Sequence, residues 1–281
     1  MPNLAVNGVS LHYETHGAGP EVFISAQMRF GSFAYQRRLS EPPRNYRVYL
    51  VTLRGYGEST HVFEDLGHRW YDVWAEDVFA FAQALGIERF IYTGHSHGAG
   101  VGWHLALRHP EVLKGFISVA GAPHDRAGGD VSEARRRTLA LADNPALIEE
   151  LFGTEESVQA GSPADPWQER VRLARAELRE ALRRMRREEL LINPRKPIPQ
   201  ARTNEELAAV LSSLQVPTLI MAGDADDIIP VEMTLLAGRS VPRAKTVIFQ
   251  GCGHQLPAEV PEHILGEIEL FVRELNEGLW R

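Results

Sequence analysis

The sequence has 281 residues, of which 44% are hydrophobic and 24% are charged, and its formal net charge is -7. This length and composition indicate a globular chain of one large or two small domains, and they exclude collagen, coiled coil and intrinsic disorder. The acidic balance argues against a nucleic-acid partner, and a single cysteine excludes an intrachain disulfide and a cysteine-rich zinc module.

The first 123 residues alternate apolar runs typical of strands with amphipathic patterns typical of helices. Two short strands, at 4–6 and 9–13, meet at Asn7-Gly8, a two-residue turn that predicts an antiparallel hairpin. Further strands are predicted at 22–26, 48–53, 90–93 and 116–120, and helices at 71–85 and 99–107. Near-continuous apolar strands that alternate with helices predict a mainly parallel sheet covered by helices on both faces.

From about residue 124 to residue 214 the strand pattern stops, and helical patterns take its place. Helices are predicted at 133–141, 146–152, 166–191 and 204–214. The arginine excess of the longest one suits an anionic partner, but a solvated face with ion pairs four residues apart is favoured. Strands resume at 218–222 and 246–249, and a helix at 261–275 follows them. The interval 124–214 therefore predicts a helical insertion in an α/β domain.

One motif with chemical potential lies between a predicted strand and a predicted helix, and it reads Gly94-His95-Ser96-His97-Gly98. This is the G-x-S-x-G pattern in the strand–turn–helix context that it requires. So sharp a turn needs residues without side chains two before and two after the serine. Ser96 is therefore a candidate nucleophile, and the backbone N–H of His97 is a candidate donor to developing negative charge. The alternative for Ser96 is an ordinary buried turn serine.

A serine nucleophile needs a base and a carboxylate, and both follow strands in the second half of the chain. Asp224, Asp226 and Asp227 come directly after the strand at 218–222, and His254 follows the next strand. Because the carboxyl ends of parallel strands meet at one edge of a sheet, these groups are expected close to Ser96. The order serine, aspartate, histidine is the one expected for this architecture. A loop histidine without a catalytic role is the alternative for His254.

Three separately placed motifs resemble those of the α/β-hydrolase superfamily. GHSHG resembles its nucleophile elbow, GDADDIIP its G-x-x-D-x-x-x-P acid turn, and GCGH its Gly-x-Gly-His base turn. The match implies that Asp226 is the triad acid, because Pro230 lies four residues after it and Gly223 three before. It also implies a mostly parallel eight-stranded sheet flanked by helices, with residues 1–123 and 215–281 as the core and 124–214 as a helical cap.

The segment after the third strand departs from the family pattern. Family members usually carry His-Gly there, whereas this chain reads Ile24-Ser25-Ala26-Gln27-Met28. By position, the backbone N–H of Gln27 is the second expected oxyanion donor, beside that of His97. Candidates to line a substrate pocket, with core packing as the alternative, are Met28, Phe30 and Trp167.

The resemblance implies a carboxylesterase-like serine hydrolase that cleaves a small organic carboxylic ester through an acyl-enzyme intermediate. Its catalytic triad is Ser96, Asp226 and His254. The alternatives are a lactonase or a C–C bond hydrolase on the same triad, and a non-catalytic ligand-binding protein of this fold, which the altered third-strand segment favours. No cofactor is implied. His95 and His97 form an H-x-H pair, but the fuller H-x-H-x-D-H set of a zinc site is missing, so we expect no metal.

The apolar pattern of the sequence gives an expectation for the location of the protein but none for its oligomeric state. The first twenty residues have neither the basic leader nor the apolar run of a secretory signal, and no stretch approaches the roughly 20 apolar residues of a membrane helix. We therefore expect a cytoplasmic protein that acts on a small molecule without membrane contact. The oligomeric state stays open.

Overall fold

Eight strands form one sheet in the computed structural model, which describes residues 2–152 and 166–280. The strands are β1 (Asn3–Val6), β2 (Val9–His16), β3 (Val22–Gln27), β4 (Arg47–Thr52), β5 (Phe90–His95), β6 (Leu113–Val119), β7 (Thr218–Gly223) and β8 (Ala244–Phe249). Their order is β1-β2-β4-β3-β5-β6-β7-β8. Strand β2 is antiparallel to β1 and β4, and all other neighbours are parallel. The predicted mostly parallel eight-stranded sheet is confirmed.

The predicted hairpin forms because its two turn residues accept a left-handed backbone. Asn7 has φ of 48° and Gly8 has φ of 74°, the positive values that the tightest hairpin turns require. Val6 pairs directly with Val9, so the turn sets the register of the whole β1–β2 ladder. The sheet therefore begins with an antiparallel pair, as expected.

Helices cover the two faces of the sheet and form the insertion between β6 and β7. They are α1 (Tyr35–Arg38), α2 (Trp70–Ala84), α3 (His97–Arg108), α4 (Glu133–Leu141), α5 (Leu147–Phe152), α6 (Pro166–Arg184), α7 (Arg187–Leu190), α8 (Asn204–Leu211), α9 (Val231–Ser240), α10 (Leu256–Glu259) and α11 (Pro261–Asn276). Buried side chains of α2, α3 and α9 share one apolar cluster with the sheet, and those of α1 and α11 share a second. The central strands are thus buried on both faces, which explains their continuous apolar runs.

The helix predicted at 166–191 is two helices, because the chain leaves the helical conformation at Arg186. That residue has ψ of 155°, and its backbone N–H donates to Glu189 Oε2 at 2.7 Å. Glu189 therefore caps α7 from within, and such a local bond competes with continuation of the longer helix. Apolar periodicity alone did not reveal this interruption.

The helix predicted at 204–214 ends early, at Leu211. The hydroxyls of Ser212 and Ser213 donate to the backbone carbonyl oxygens of Ala209 and Val210, at 2.8 and 2.7 Å. Serine side chains that bond nearby backbone favour a helix end over a helix interior. Among the helices of the described residues, none is both long and apolar enough to span a bilayer.

Candidate active site

The turn between β5 and α3 presents Ser96 in a strained conformation. Its φ is 49° and its ψ is -110°, a backbone geometry that side-chain-bearing residues rarely adopt. The backbone N–H of Ser96 donates to the carbonyl oxygen of Val119 on β6 at 2.9 Å, which ties the turn to the neighbouring strand. This sharp turn presents the Ser96 hydroxyl at the carboxyl end of the sheet.

Two glycines permit this turn, because the backbone passes too close for a side chain at either position. A Cβ on Gly94 would collide with the backbone of Gly98, and a Cβ on Gly98 would lie 2.5 Å from the carbonyl oxygen of Ala26. The requirement deduced from the G-x-S-x-G spacing thus has a direct steric cause. It also places the end of β3 against the first turn of α3.

The three predicted triad side chains lie within hydrogen-bond distance of one another. Ser96 Oγ is 2.8 Å from His254 Nε2, and His254 Nδ1 is 2.8 and 3.1 Å from the two carboxylate oxygens of Asp226. A carboxylate at Nδ1 favours the tautomer that leaves Nε2 free to accept the serine proton. This arrangement can convert a weak hydroxyl nucleophile into a reactive one.

The Asp226 carboxyl is buried but favours its charged form. Burial by itself would raise its pKa, but the hydrogen bond to His254 and the backbone N–H groups of Ile228 and Ile229 outweigh burial, so the pKa lies below 3.8. Asp224 instead accepts the backbone N–H of Gly251 at 2.6 Å, and Asp227 is exposed. Of the three aspartates, Asp226 alone meets His254 within the described residues.

His95 connects the base turn to the end of β3. Its Nε2 donates to the backbone carbonyl oxygen of His254 at 2.9 Å, while its own carbonyl oxygen accepts from Gln27 Nε2 at 3.0 Å. Burial, followed by the nearby charge of His254, lowers the pKa of His95 to about 4. The imidazole is therefore neutral near pH 7.

The two residues predicted as oxyanion donors come together on adjacent elements. Gln27 is the last residue of β3, its side chain is buried, and its carbonyl oxygen accepts from the backbone N–H of Leu53 at 2.9 Å. A Cβ on Gly98 would lie 2.7 Å from Gln27 Cδ, so Gln27 packs against the start of α3, where His97 stands. Their role in holding an oxyanion stays a prediction.

The His97 side chain lies in an aromatic cage next to the candidate nucleophile. Its ring centroid is 4.7 Å from that of Trp74, 5.5 Å from that of Tyr71 and 6.3 Å from that of Tyr56. Burial, followed by the charge of Arg135, lowers the pKa of His97 well below 6.5. Sequence reasoning did not reveal this cage, because the aromatic neighbours of His97 come from a distant loop and helix.

A cavity of about 1090 Å³ lies between the core and the insertion, with Ser96, His97 and His254 on its wall. Met28 and Trp167, both predicted as pocket residues, also line it. Phe30 is not one of its lining residues and packs against the apolar cluster of α1 and α11. The guanidinium of Arg37 donates to the carbonyl oxygens of Phe30 and Gly31, which holds this segment back on the α1 side.

A candidate nucleophile turn at the carboxyl end of β5, with a candidate acid after β7 and a candidate base after β8, is the arrangement typical of the α/β-hydrolase class of architecture. The family model described as alpha/beta hydrolase fold matches residues 29–259. The chain therefore belongs to the alpha/beta hydrolase fold family. The resemblance deduced from its three motifs is confirmed.

Similar proteins include enzymes named for ester and lactone substrates. The chain is 25% identical over 256 residues to the pimeloyl-[acyl-carrier protein] methyl ester esterase of Vibrio atlanticus, and the match covers 87% of this chain and 91% of that protein. The solved esterase RhEst1 from Rhodococcus sp. has a TM-score of 0.75 at 23% identity, covering 97% and 98%. The enol-lactonase of Burkholderia xenovorans LB400 has a TM-score of 0.73 at 20% identity, covering 97% and 100%. The two structural matches show the fold alone.

Proposed function

We propose that the protein is a serine hydrolase that cleaves a small organic carboxylic ester. The observation that carries the proposal is the hydrogen-bonded series from Ser96 through His254 to Asp226 on the wall of a large cavity. The similarity to a methyl ester esterase over 87% of this chain supports the same reaction class.

In the first half of the reaction, Ser96 Oγ attacks the ester carbonyl carbon while His254 Nε2 takes the hydroxyl proton. The C–O bond of the alcohol breaks, His254 returns the proton to the departing alkoxide, and the acyl group stays on Ser96. Asp226 holds the imidazole in orientation and stabilises its positive charge. The backbone N–H groups of Gln27 and His97 donate to the oxyanion of each tetrahedral intermediate.

In the second half, water attacks the acyl-enzyme and His254 takes its proton. The bond from the acyl carbon to Ser96 Oγ breaks, the proton returns to Ser96, and a carboxylic acid leaves. Residues 124–214 act as a cap on a core formed by 1–123 and 215–281, which limits the substrate to a small molecule. Met28 and Trp167 contribute apolar surface to this pocket. The reaction needs no cofactor.

The first test is the intact mass of the protein after treatment with a small fluorophosphonate, followed by mapping of the modified peptide. Attachment at Ser96 that disappears in the His254→Ala variant is the expected result, because the reagent requires an activated serine. Hydrolysis of p-nitrophenyl esters, lactones and vinylogous diketones, each compared with Ser96→Ala, then identifies the bond that is cleaved. A Ser96→Ala variant as active as wild type would overturn the mechanism.

Failure of both measurements would favour a ligand-binding protein that retains the triad without turnover. Preferential turnover of a lactone or a diketone would move the protein to another reaction on the same triad. The ester panel therefore separates the proposed activity from each alternative that the sequence left open.

A further inference from the structure

The wall of the cavity has a charge balance opposite to that of the chain. The whole sequence contains 30 lysine and arginine residues against 37 aspartate and glutamate residues. The described lining residues contain two carboxylates, Asp227 and Glu259, against six cations of the insertion: Arg135, Arg137, Arg172, Arg175, Arg195 and Lys196. The cavity that has Ser96 on its wall is therefore lined by more cations than carboxylates, although the whole chain is acidic.

The two carboxylates do not offset this charge at the centre of the cavity. Glu259 is buried and its Oε2 accepts the backbone N–H of Gly253 at 2.7 Å, so it faces the base turn. Asp227 is exposed. Partners outside the lining serve three of the cations, in the pairs Arg137–Glu133, Arg172–Glu169 and Arg195–Asp65.

Arg135 is a half-buried cation of this wall, and its hydrogen-bond partner is neutral. Its Nη1 donates to the backbone carbonyl oxygen of Ile192 at 3.1 Å. Within the described part of the chain, no carboxylate oxygen lies within salt-bridge distance of its guanidinium. Its charge acts on His97 and on Tyr71, both of which line the cavity beside Ser96.

Lys196 adds a second cation whose contacts are also neutral. Its side chain is largely buried, and Nζ donates to the carbonyl oxygens of Asp125 and Ala127, both at 2.6 Å. An ammonium group has three donors, so these two contacts leave one unused. In the region that the structure describes, it too lacks a carboxylate at salt-bridge distance. The carboxylates of Asp125 and Asp130 act on this ammonium group only from beyond salt-bridge distance, and burial still lowers its pKa. A bound anion would offset the remaining cost of burying the charge.

We infer that the substrate carries a carboxylate in addition to the bond that is cleaved, and that Arg135 binds this carboxylate. A guanidinium can hold a carboxylate through two parallel N–H···O bonds, while Lys196 adds to the positive potential of the wall. The inference specifies the class of substrate for the proposed function, and its expectations about turnover rest on that function. Recognition of the anion itself is separate from the chemistry of Ser96, so the two can be tested apart.

The turnover test compares charged esters with neutral amides of the same shape. A charge on the acyl side is tested with mono-p-nitrophenyl adipate against p-nitrophenyl adipamate, and a charge on the alcohol side with 4-acetoxybenzoate against 4-acetoxybenzamide. In one of the two pairs, we expect kcat/KM to favour the charged ester by about tenfold or more. The pair that shows the preference identifies the side of the scissile bond that carries the carboxylate.

The variants assign that preference to a residue. We expect Arg135→Gln to lower the charged-to-neutral ratio of kcat/KM about tenfold, and Arg135→Lys to restore part of it, because lysine keeps the charge but not the planar fork. The matched control is Arg136→Gln, which removes a neighbouring charge on the same helix that does not line this cavity and leaves the ratio unchanged. A wild-type enzyme that shows no preference for the charged ester in either pair would overturn the inference, as would a ratio unaffected by Arg135→Gln.

A binding measurement separates failure of the inference from failure of the proposed function. Calorimetric titration of the Ser96→Ala variant with monomethyl adipate and with methyl adipamate, and with the matching 4-acetoxybenzoate and 4-acetoxybenzamide, needs no turnover. We expect the charged compound of one pair to bind about tenfold more tightly or better, and the difference to shrink in Ser96→Ala/Arg135→Gln. Such binding by a protein that hydrolyses no ester would refute the proposed activity and retain the anion site. Equal or weaker binding of both charged compounds would refute the anion site.

Discussion

Protonation of His95 should destabilise the protein in mild acid. His95 is neutral in the folded state because burial lowers its pKa to about 4, against an ordinary value of 6.5. The unfolded chain therefore binds a proton at this residue more readily than the folded chain does. The free energy of unfolding must then fall as the pH decreases from about 6.5, and the loss is complete only below about pH 4.

The two pKa values fix the size of the effect. At about pH 7.5 both states are almost entirely deprotonated at this residue, whereas at about pH 5 the unfolded residue is almost entirely protonated and the folded one is not. The difference amounts to about 2 kcal/mol of unfolding free energy between these two pH values. His124, whose pKa burial also lowers to about 4, and His97, whose pKa burial lowers well below 6.5, contribute losses of the same sign. Wild type alone therefore does not isolate His95.

The His95→Gln variant isolates the contribution of one residue. Its side-chain amide can keep the N–H donor to the carbonyl oxygen of His254 but does not titrate in this range. We expect urea unfolding monitored by circular dichroism to show that the variant loses about 2 kcal/mol less than wild type between about pH 7.5 and pH 5. The measurement at the higher pH gives the cost of the substitution itself. Equal losses in the two proteins would refute a buried neutral His95.

Three further substitutions, one of them with a control substitution, test the site and its supports. Asp226→Asn should lower kcat for a p-nitrophenyl ester by about 10⁴-fold in steady-state assays, because an amide no longer favours the required tautomer, and a loss below tenfold would contradict the triad. Gly98→Ala should lower kcat about tenfold or more, because its Cβ meets the end of β3. The control Gly266→Ala, which has open space around its Cβ, should instead raise the free energy of unfolding by about 0.5–1 kcal/mol in urea unfolding, because alanine favours helix α11 more than glycine does. Glu177→Ala should cost about 0.5–1.5 kcal/mol of unfolding free energy, since it removes the acceptor of the exposed Ser32 backbone N–H and hydroxyl at 2.8 and 2.6 Å, and unchanged stability would show that this contact is dispensable.

The strands and the helices that flank the motifs were predictable because burial on both faces leaves long apolar runs. The site was predictable for a different reason: Ser96, Asp226 and His254 each follow a parallel strand, and parallel strands deliver their carboxyl ends to one edge. Apolar periodicity and turn chemistry thus placed Ser96, His254 and the aspartates after β7 at one edge of the sheet, and the resemblance to the α/β hydrolases selected Asp226 among those aspartates.

Elements whose formation depends on distant residues were not predictable in the same way. The sequence pattern did not predict helix α9. Within this helix, a side chain at the position of Gly238 would collide with Thr246 of β8. A glycine inside a helix lowers the local helical signal, but here it allows the helix to approach the sheet. The contact between Glu177 and Ser32 is likewise beyond any periodicity, because 145 residues separate the two.

One position that the G-x-S-x-G motif leaves open links two distant segments of this chain. This position lies directly before the serine, and His95 occupies it. Its side chain holds the backbone of His254 while its carbonyl oxygen holds the amide of Gln27. The departure at the third strand therefore does not leave Gln27 without support, because a buried amide needs a partner and the motif backbone provides one. The shape of the turn and the two hydrogen bonds of His95 together place the candidate base and the candidate oxyanion segment around Ser96.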